Sequence, residues 1–145
     1  MDIEAKKLLF EEHVAHGQKS GFDVPTDFSD RNGSHQTSLG LYLTDATYQG
    51  GNGYSLKLHG LSKGFNESAM HRKIVMHGAP YVNPLAAKSM GRLGRSWGCP
   101  AVRVSIARPM IDALKEGNFI YSYGPGTASL SRCGSENLTL ASLAN

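Results

Sequence analysis

Hydrophobic positions along this chain fall mostly in short runs broken by glycine, a pattern that favours strands over long helices. Leu39, Leu41 and Leu43 alternate with Gly40, Tyr42 and Thr44, predicting a strand over 34–44 with the leucines on one buried face. Residues 48–53 then read as a turn and 54–59 as a second alternating strand, so the two form a hairpin. An imperfect alternation over 7–16 suggests an earlier strand ending at Gly17, and the glycine- and proline-bearing stretch 18–33 a surface loop. The unbroken apolar run 74–76 fits a strand buried on both faces, and 118–123 a last strand stopped by Gly124 and Pro125.

Helical signals are fewer. Asn66 can cap one or two turns over 66–72. Asn83 followed by Pro84 opens a short helix that Gly91 stops. Ser105 can cap a helix reaching about Glu116, with Pro109 in its first turn, a core stripe of Met110, Ile111 and Leu114, and Gly117 closing it.

Length and composition narrow the class. The 145 residues suit one domain with a real core, taken as 1–126, and a small, polar, weakly ordered tail over 127–145. With 40% hydrophobic residues and 17 glycines the chain is β-leaning and loop-rich. A net charge of +3 and a pI near 8.9 suit an anionic polymer, but no Lys/Arg run of the nucleic-acid kind is present. No stretch approaches the roughly 20 apolar residues of a membrane span. The acidic start Met1-Asp2-Ile3-Glu4 is not a secretion signal, and the chain reads as beginning just inside a domain, as after a shortened gene start. Cys99 and Cys133 make no disulfide framework, and Cys133, without a basic or histidine neighbour, reads as chemically idle. His13 and His16 would point to opposite faces of a strand, which argues against a zinc pair; neither metal nor organic cofactor is expected.

The candidate chemistry lies in 91–102, Gly-Arg-Leu-Gly-Arg-Ser-Trp-Gly-Cys-Pro-Ala-Val. Three glycines in eight residues let the backbone approach a ligand closely, and Arg92 and Arg95 give a local field that favours a thiolate on Cys99. His77, at the end of the 74–76 run, precedes Cys99 by 22 positions, and the two could form a base and nucleophile. A cysteine among small residues is also a common buried hydrophobe, so the pair alone leaves both readings open. Backbone N–H groups of Trp97, Gly98 and Cys99 are the candidate oxyanion donors. Ser34, His35 and Ser38 are either strand-edge polar residues or part of a substrate groove.

An apolar strand ending in His-Gly, followed about twenty residues later by Ser-x-Gly-Cys, resembles the murein L,D-transpeptidase catalytic domain family (YkuD-like). The resemblance runs from about Lys7 to Pro125. It implies a mainly β fold, sandwich- or barrel-like, with a few short helices. It also implies a periplasmic or other extracytoplasmic setting and peptidoglycan stem peptides as partners, with Cys99 as nucleophile and His77 as base. On that reading a Cys99 thioester forms on a stem tetrapeptide with loss of D-Ala, and transfer to another stem's amine gives a 3→3 cross-link. Trp97 stands where the family usually has histidine, and Ala101 where an arginine is common two positions after the cysteine. Arg92, Arg95 or Arg103 is then a candidate for the charge that holds a substrate carboxylate, and Ser96, Ser38 and His35 are further candidates for substrate binding. Two other outcomes stay open: hydrolysis by the same chemistry, as in an L,D-carboxypeptidase, and an inactive wall-binding module.

Overall fold

The computed structural model describes residues 1–125; the tail 127–145 and its Cys133 lie outside the described residues. The chain builds a curled, mixed five-stranded sheet with two short helices, a mainly β fold as the pattern predicts. Strand β1 (Gly40–Gly50) and β2 (Gly53–Gly60) form the expected hairpin, closed by the pair Gly50 and Gly53. Strand β3 (Val75–Gly78) lies antiparallel to β2; helix α1 (Pro84–Met90) then carries the chain to β4 (Ala101–Val102), which runs parallel to β3. Helix α2 (Val104–Leu114) leads to β5 (Phe119–Ser122), which pairs with the other edge of β1. The sheet order is β4-β3-β2-β1-β5.

The two faces of β3 and β4 do different work. Met76 and Val102 point into the main core, where they meet Leu56, Leu58, Ile74 and the inner face of α2, Ala107, Met110 and Ile111. His77 and Ala101 point the other way, and Ala101 joins a small cluster with Ala15, Ala79 and Val82. The stripe on α2 is therefore core, as the 3.6-residue spacing requires.

Several elements differ from the sequence expectation. The 7–16 stretch forms no strand: Leu8 and Leu9 are exposed, and only Ala15 bridges to Ala101. Its available edge, β4, is two residues long and offers no ladder to extend. Strand β1 begins at Gly40 rather than at 34, because His35 takes a left-handed φ of 55° that breaks an extended run. Its fully buried side chains are Tyr42 and Thr44, with Leu41 and Leu43 half-buried. The Tyr42 hydroxyl donates to Ser38 O at 2.9 Å and Thr44 Oγ1 to Leu114 O at 2.6 Å, so two polar side chains face inward with partners. Helix α2 starts one residue before Ser105, with Arg103 at the cap and no side-chain cap bond, and stops at Leu114. Helix α1 follows its signals: Asn83 Oδ1 accepts from Leu85 and Ala86, and Gly91 closes it at φ 70°.

Residues 65–72 are turns, not a helix. Asn66 is fully buried and acts as a clamp: its Oδ1 accepts from Ser62 N at 2.8 Å and its Nδ2 donates to Leu41 O at 2.9 Å. This ties the segment leading into β3 to β1. Asn66→Ala leaves the Ser62 amide without that acceptor and is expected to lower stability by about 1–3 kcal/mol in urea unfolding. A change within about 0.5 kcal/mol, the size of an ordinary surface substitution, would remove the clamp from the account.

Candidate active site

The parallel register explains how residues 22 positions apart come together. His77 sits opposite Ala101 on β4 and opposite Ser55 on β2, two small neighbours that leave room for an imidazole. Cys99 enters β4 two residues before Ala101, so the same pairing brings it beside the start of β3. Both side chains line one cleft of about 390 Å³, together with Asn52, Arg72, Lys73, Tyr81, Arg95 and Trp97. His77 is 4% exposed, and its Nδ1 lies 3.0 Å from Gly78 O. A carbonyl can only accept, so Nδ1 carries the proton and Nε2 of the neutral ring is left as a base.

The cysteine loop is held from two sides. On one, Ser96 N–H donates to His16 O at 2.9 Å and Gln18 N–H to Ser96 O at 2.8 Å. On the other, Gly98, at φ 118°, passes so close to Gln36 that a Cβ would stand 2.6 Å from its carbonyl oxygen. Ser96 Oγ staples the turn itself, donating to Cys99 O at 2.6 Å and accepting from Gly98 N–H at 3.1 Å. Ser96 also lines the cleft, but it is buried and its hydroxyl is spent inside the loop. The Gly98 N–H is likewise spoken for, which corrects its place among the oxyanion donors. Among the described residues, the amides of Trp97 and Cys99 donate to no protein acceptor.

The charge that acts on Cys99 comes from Arg72 and from neither loop arginine. Arg92 lies over the Phe22 ring at 5.3 Å, and Arg95, although it lines the cleft, spends Nη1 on the carbonyls of Gln18 (3.0 Å) and Gly21 (2.6 Å). Arg103 pairs with Glu12, holding that carboxyl below its usual range. The cleft instead contains Arg72, whose side chain is 3% exposed. Its guanidinium donates to Ser29 O at 2.9 Å, Gln36 O at 2.7 Å, Ser34 Oγ at 3.2 Å and Ser38 Oγ, with Asp30 at 3.4 Å. Ser34 and Ser38 are thus buried supports of Arg72, outside the cleft lining. His35 stands at the rim, stacked on Trp97.

Burial pushes the Cys99 thiol up from its ordinary pKa; the Val75 amide and the Arg72 charge pull against that rise. The sequence expectation of a depressed thiol is therefore corrected: desolvation outweighs the positive field. Cys99 Sγ lies 3.8 Å from Lys73 O, a carbonyl that suits a neutral thiol donor. Tyr81, also missed by the sequence reading, lines the cleft; burial raises its phenol first and the charge of Cys99 second. Neither Arg72 nor Tyr81 sits in a motif that a linear reading could find. Among the described residues no three His, Cys, Asp or Glu side chains gather as a metal site needs.

A family model for the L,D-transpeptidase catalytic domain matches residues 1–123. The chain belongs to that family. No curated protein and no solved structure matches it. Membership points to peptidoglycan as the substrate. Among the described residues no helix is long and apolar enough to cross a membrane.

The electrostatics can be checked by alkylating Cys99 across pH in a Cys133→Ser background. The expected midpoint lies above that of an ordinary thiol, because the folded site disfavours the anion. Arg72→Met is expected to move it higher still, by removing the compensating charge. A wild-type midpoint below the ordinary thiol range would restore the resting ion-pair reading and overturn the role given to burial.

Proposed function

We propose that this domain is a cysteine-dependent peptidoglycan L,D-transpeptidase acting on stem tetrapeptides. The observation that carries the reading is the shared cleft of His77 and Cys99, with His77 Nδ1 tied to Gly78 O so that Nε2 is the available base. The Cys99 thiol gives its proton to His77 Nε2 as sulfur attacks the carbonyl of the diamino acid at stem position three. The tetrahedral oxyanion forms beside the free amides of Trp97 and Cys99, which supply the two donors that Gly98 does not. Collapse breaks the bond to D-Ala; the imidazolium returns its proton to the leaving amine, and a thioester remains on Cys99. The amine of a second stem attacks that thioester, loses its proton to His77, and forms a 3→3 link with release of the thiol.

The raised thiol pKa fits this order of events. A thiol held above its ordinary pKa gives up its proton only as the bond to carbon forms, which ties proton transfer to substrate binding. Lys73, Arg72 and Arg95 line the cleft and, among the described residues, no Asp or Glu does, a balance that favours stem carboxylates on either substrate. We place the protein outside the cytoplasm, where that polymer is built.

Incubating the protein with a disaccharide-tetrapeptide and weighing the products tests the reading. The expected products are D-Ala and a dimer joined through two diamino acids. Cys99→Ala is expected to abolish both while the fold persists, and His77→Ala to slow acylation about 10²- to 10⁴-fold. Tripeptide as sole product at millimolar acceptor would replace the transferase by a carboxypeptidase, and unchanged substrate would leave a binding module.

A further inference from the structure

Trp97 is the protein's single tryptophan and is 70% exposed, although it lies two residues from Cys99 and lines the same cleft. Its ring is not loose. It stacks flat on His35, with centroids 4.6 Å apart and planes 2° from parallel. His35 is held in turn: its Nδ1 lies 3.0 Å from Gln18 Nε2, its carbonyl accepts from Lys19 N–H, and its backbone takes the strained φ of 55°. A ring with one face covered and most of its surface exposed has its other face open to solvent. The result is a fixed aromatic plate at the mouth of the cleft, flanked by polar groups on Asn52 and Arg95.

We propose that the open face of Trp97 is a sugar-binding platform for the glycan strand that carries the stem peptide. A hexosamine ring presents a face of axial C–H bonds, weakly positive, and a rim of hydroxyl and acetamido groups. The C–H face complements the negative face of an indole, and the rim meets hydrogen-bonding side chains around it. The open ring has the area for such a contact, and the rigid stack means little rotamer freedom is lost on binding.

The lengths agree as well. Three stem residues separate the sugar's lactyl group from the scissile carbonyl, a reach of at most about 10 Å. Two residues of backbone separate the Trp97 and Cys99 Cα atoms, at most about 7 Å, and the indole extends further from there. A sugar on Trp97 and the third stem residue at Cys99 can therefore be engaged by one muropeptide. This inference rests on the transpeptidase reading for the choice of polymer, but its test does not need turnover.

Because Trp97 is the only tryptophan, emission excited at the red edge of the absorption band, where tyrosine does not absorb, reports on this ring alone. The Cys99→Ala protein titrated with N-acetylglucosamine tetramer is expected to show a saturable change in emission, and with a sugar-free stem tetrapeptide a much smaller one. In the active protein, kcat/KM for disaccharide-tetrapeptide should exceed that for free tetrapeptide by about three- to tenfold, as one aromatic contact gives. That ratio is expected to fall to about one in Trp97→Ala and to be partly kept in Trp97→Phe. No emission change with the tetramer would overturn the platform. So would an emission change that follows protein concentration instead of sugar, which would mark a contact between copies. An emission change with a wild-type ratio of one would overturn it too, since the sugar would then bind out of register with the peptide. If neither peptide is turned over, the transpeptidase reading fails and the titration alone decides the platform.

Discussion

The site depends on a two-residue parallel ladder. Parallel strands need a crossover, and here the crossover is the segment from Ala79 to Pro100 with α1 in its middle. Once β4 docks beside β3 with His77 opposite Ala101, the position of Cys99 is fixed by backbone geometry, whatever its side chain does. So short a strand cannot hold itself. Ala15 bonds its free edge, with Ala15 N–H donating to Ala101 O at 2.8 Å, and Val102 is sealed into the core against α2. The N-terminal segment therefore serves the site even though it forms no strand of its own.

Around that ladder the protein sets two electrostatic effects against each other. Enclosing the thiol disfavours its anion, and the buried guanidinium of Arg72 opposes this from behind Gly98, 3.2 Å from where a Cβ would sit. A buried cation is costly unless its donors are met. Arg72 meets them largely with carbonyls and hydroxyls, and Asp30 stands off at 3.4 Å, so the positive charge is anchored but only partly neutralised. Burial nevertheless prevails and the thiol rests protonated. Under the proposed mechanism, that arrangement keeps the half-buried thiol from ionising before substrate displaces water from the cleft.

The parts of this design that are local were legible in the chain. Asn83, Pro84 and Gly91 define α1 because capping involves neighbours only. The hairpin of β1 and β2 was legible for the same reason. What escaped involves long separations. Arg72 reaches back to Ser29, Ser34, Gln36 and Ser38, and Ser34 and Ser38 read as strand-edge or groove residues until the arginine is seen. Asn66 looks like a helix cap in sequence because its partner, Leu41 O, is 25 residues away. The alternation around Tyr42 named the wrong face because a tyrosine and a threonine can be buried once a carbonyl is supplied to each.

The loop's internal bonding also accounts for its departure at position 97. Ser96 and Gly98 carry the structural work on either side: the serine is tied to His16, Gln18, Gly98 and Cys99, and the glycine admits the backbone to Gln36 and Arg72. Residue 97 lies between two fixed points with its side chain projecting outward, so its identity is not dictated by the placement of the thiol. A histidine or a tryptophan leaves the same backbone course. Freedom from a packing role is what lets this position carry a large exposed ring. The strained backbone of His35 and the flat stack show that the protein holds that ring in one orientation instead of leaving it to solvent. An aromatic side chain that contributes little to the core yet is oriented at the mouth of the cleft is best explained by what it meets there.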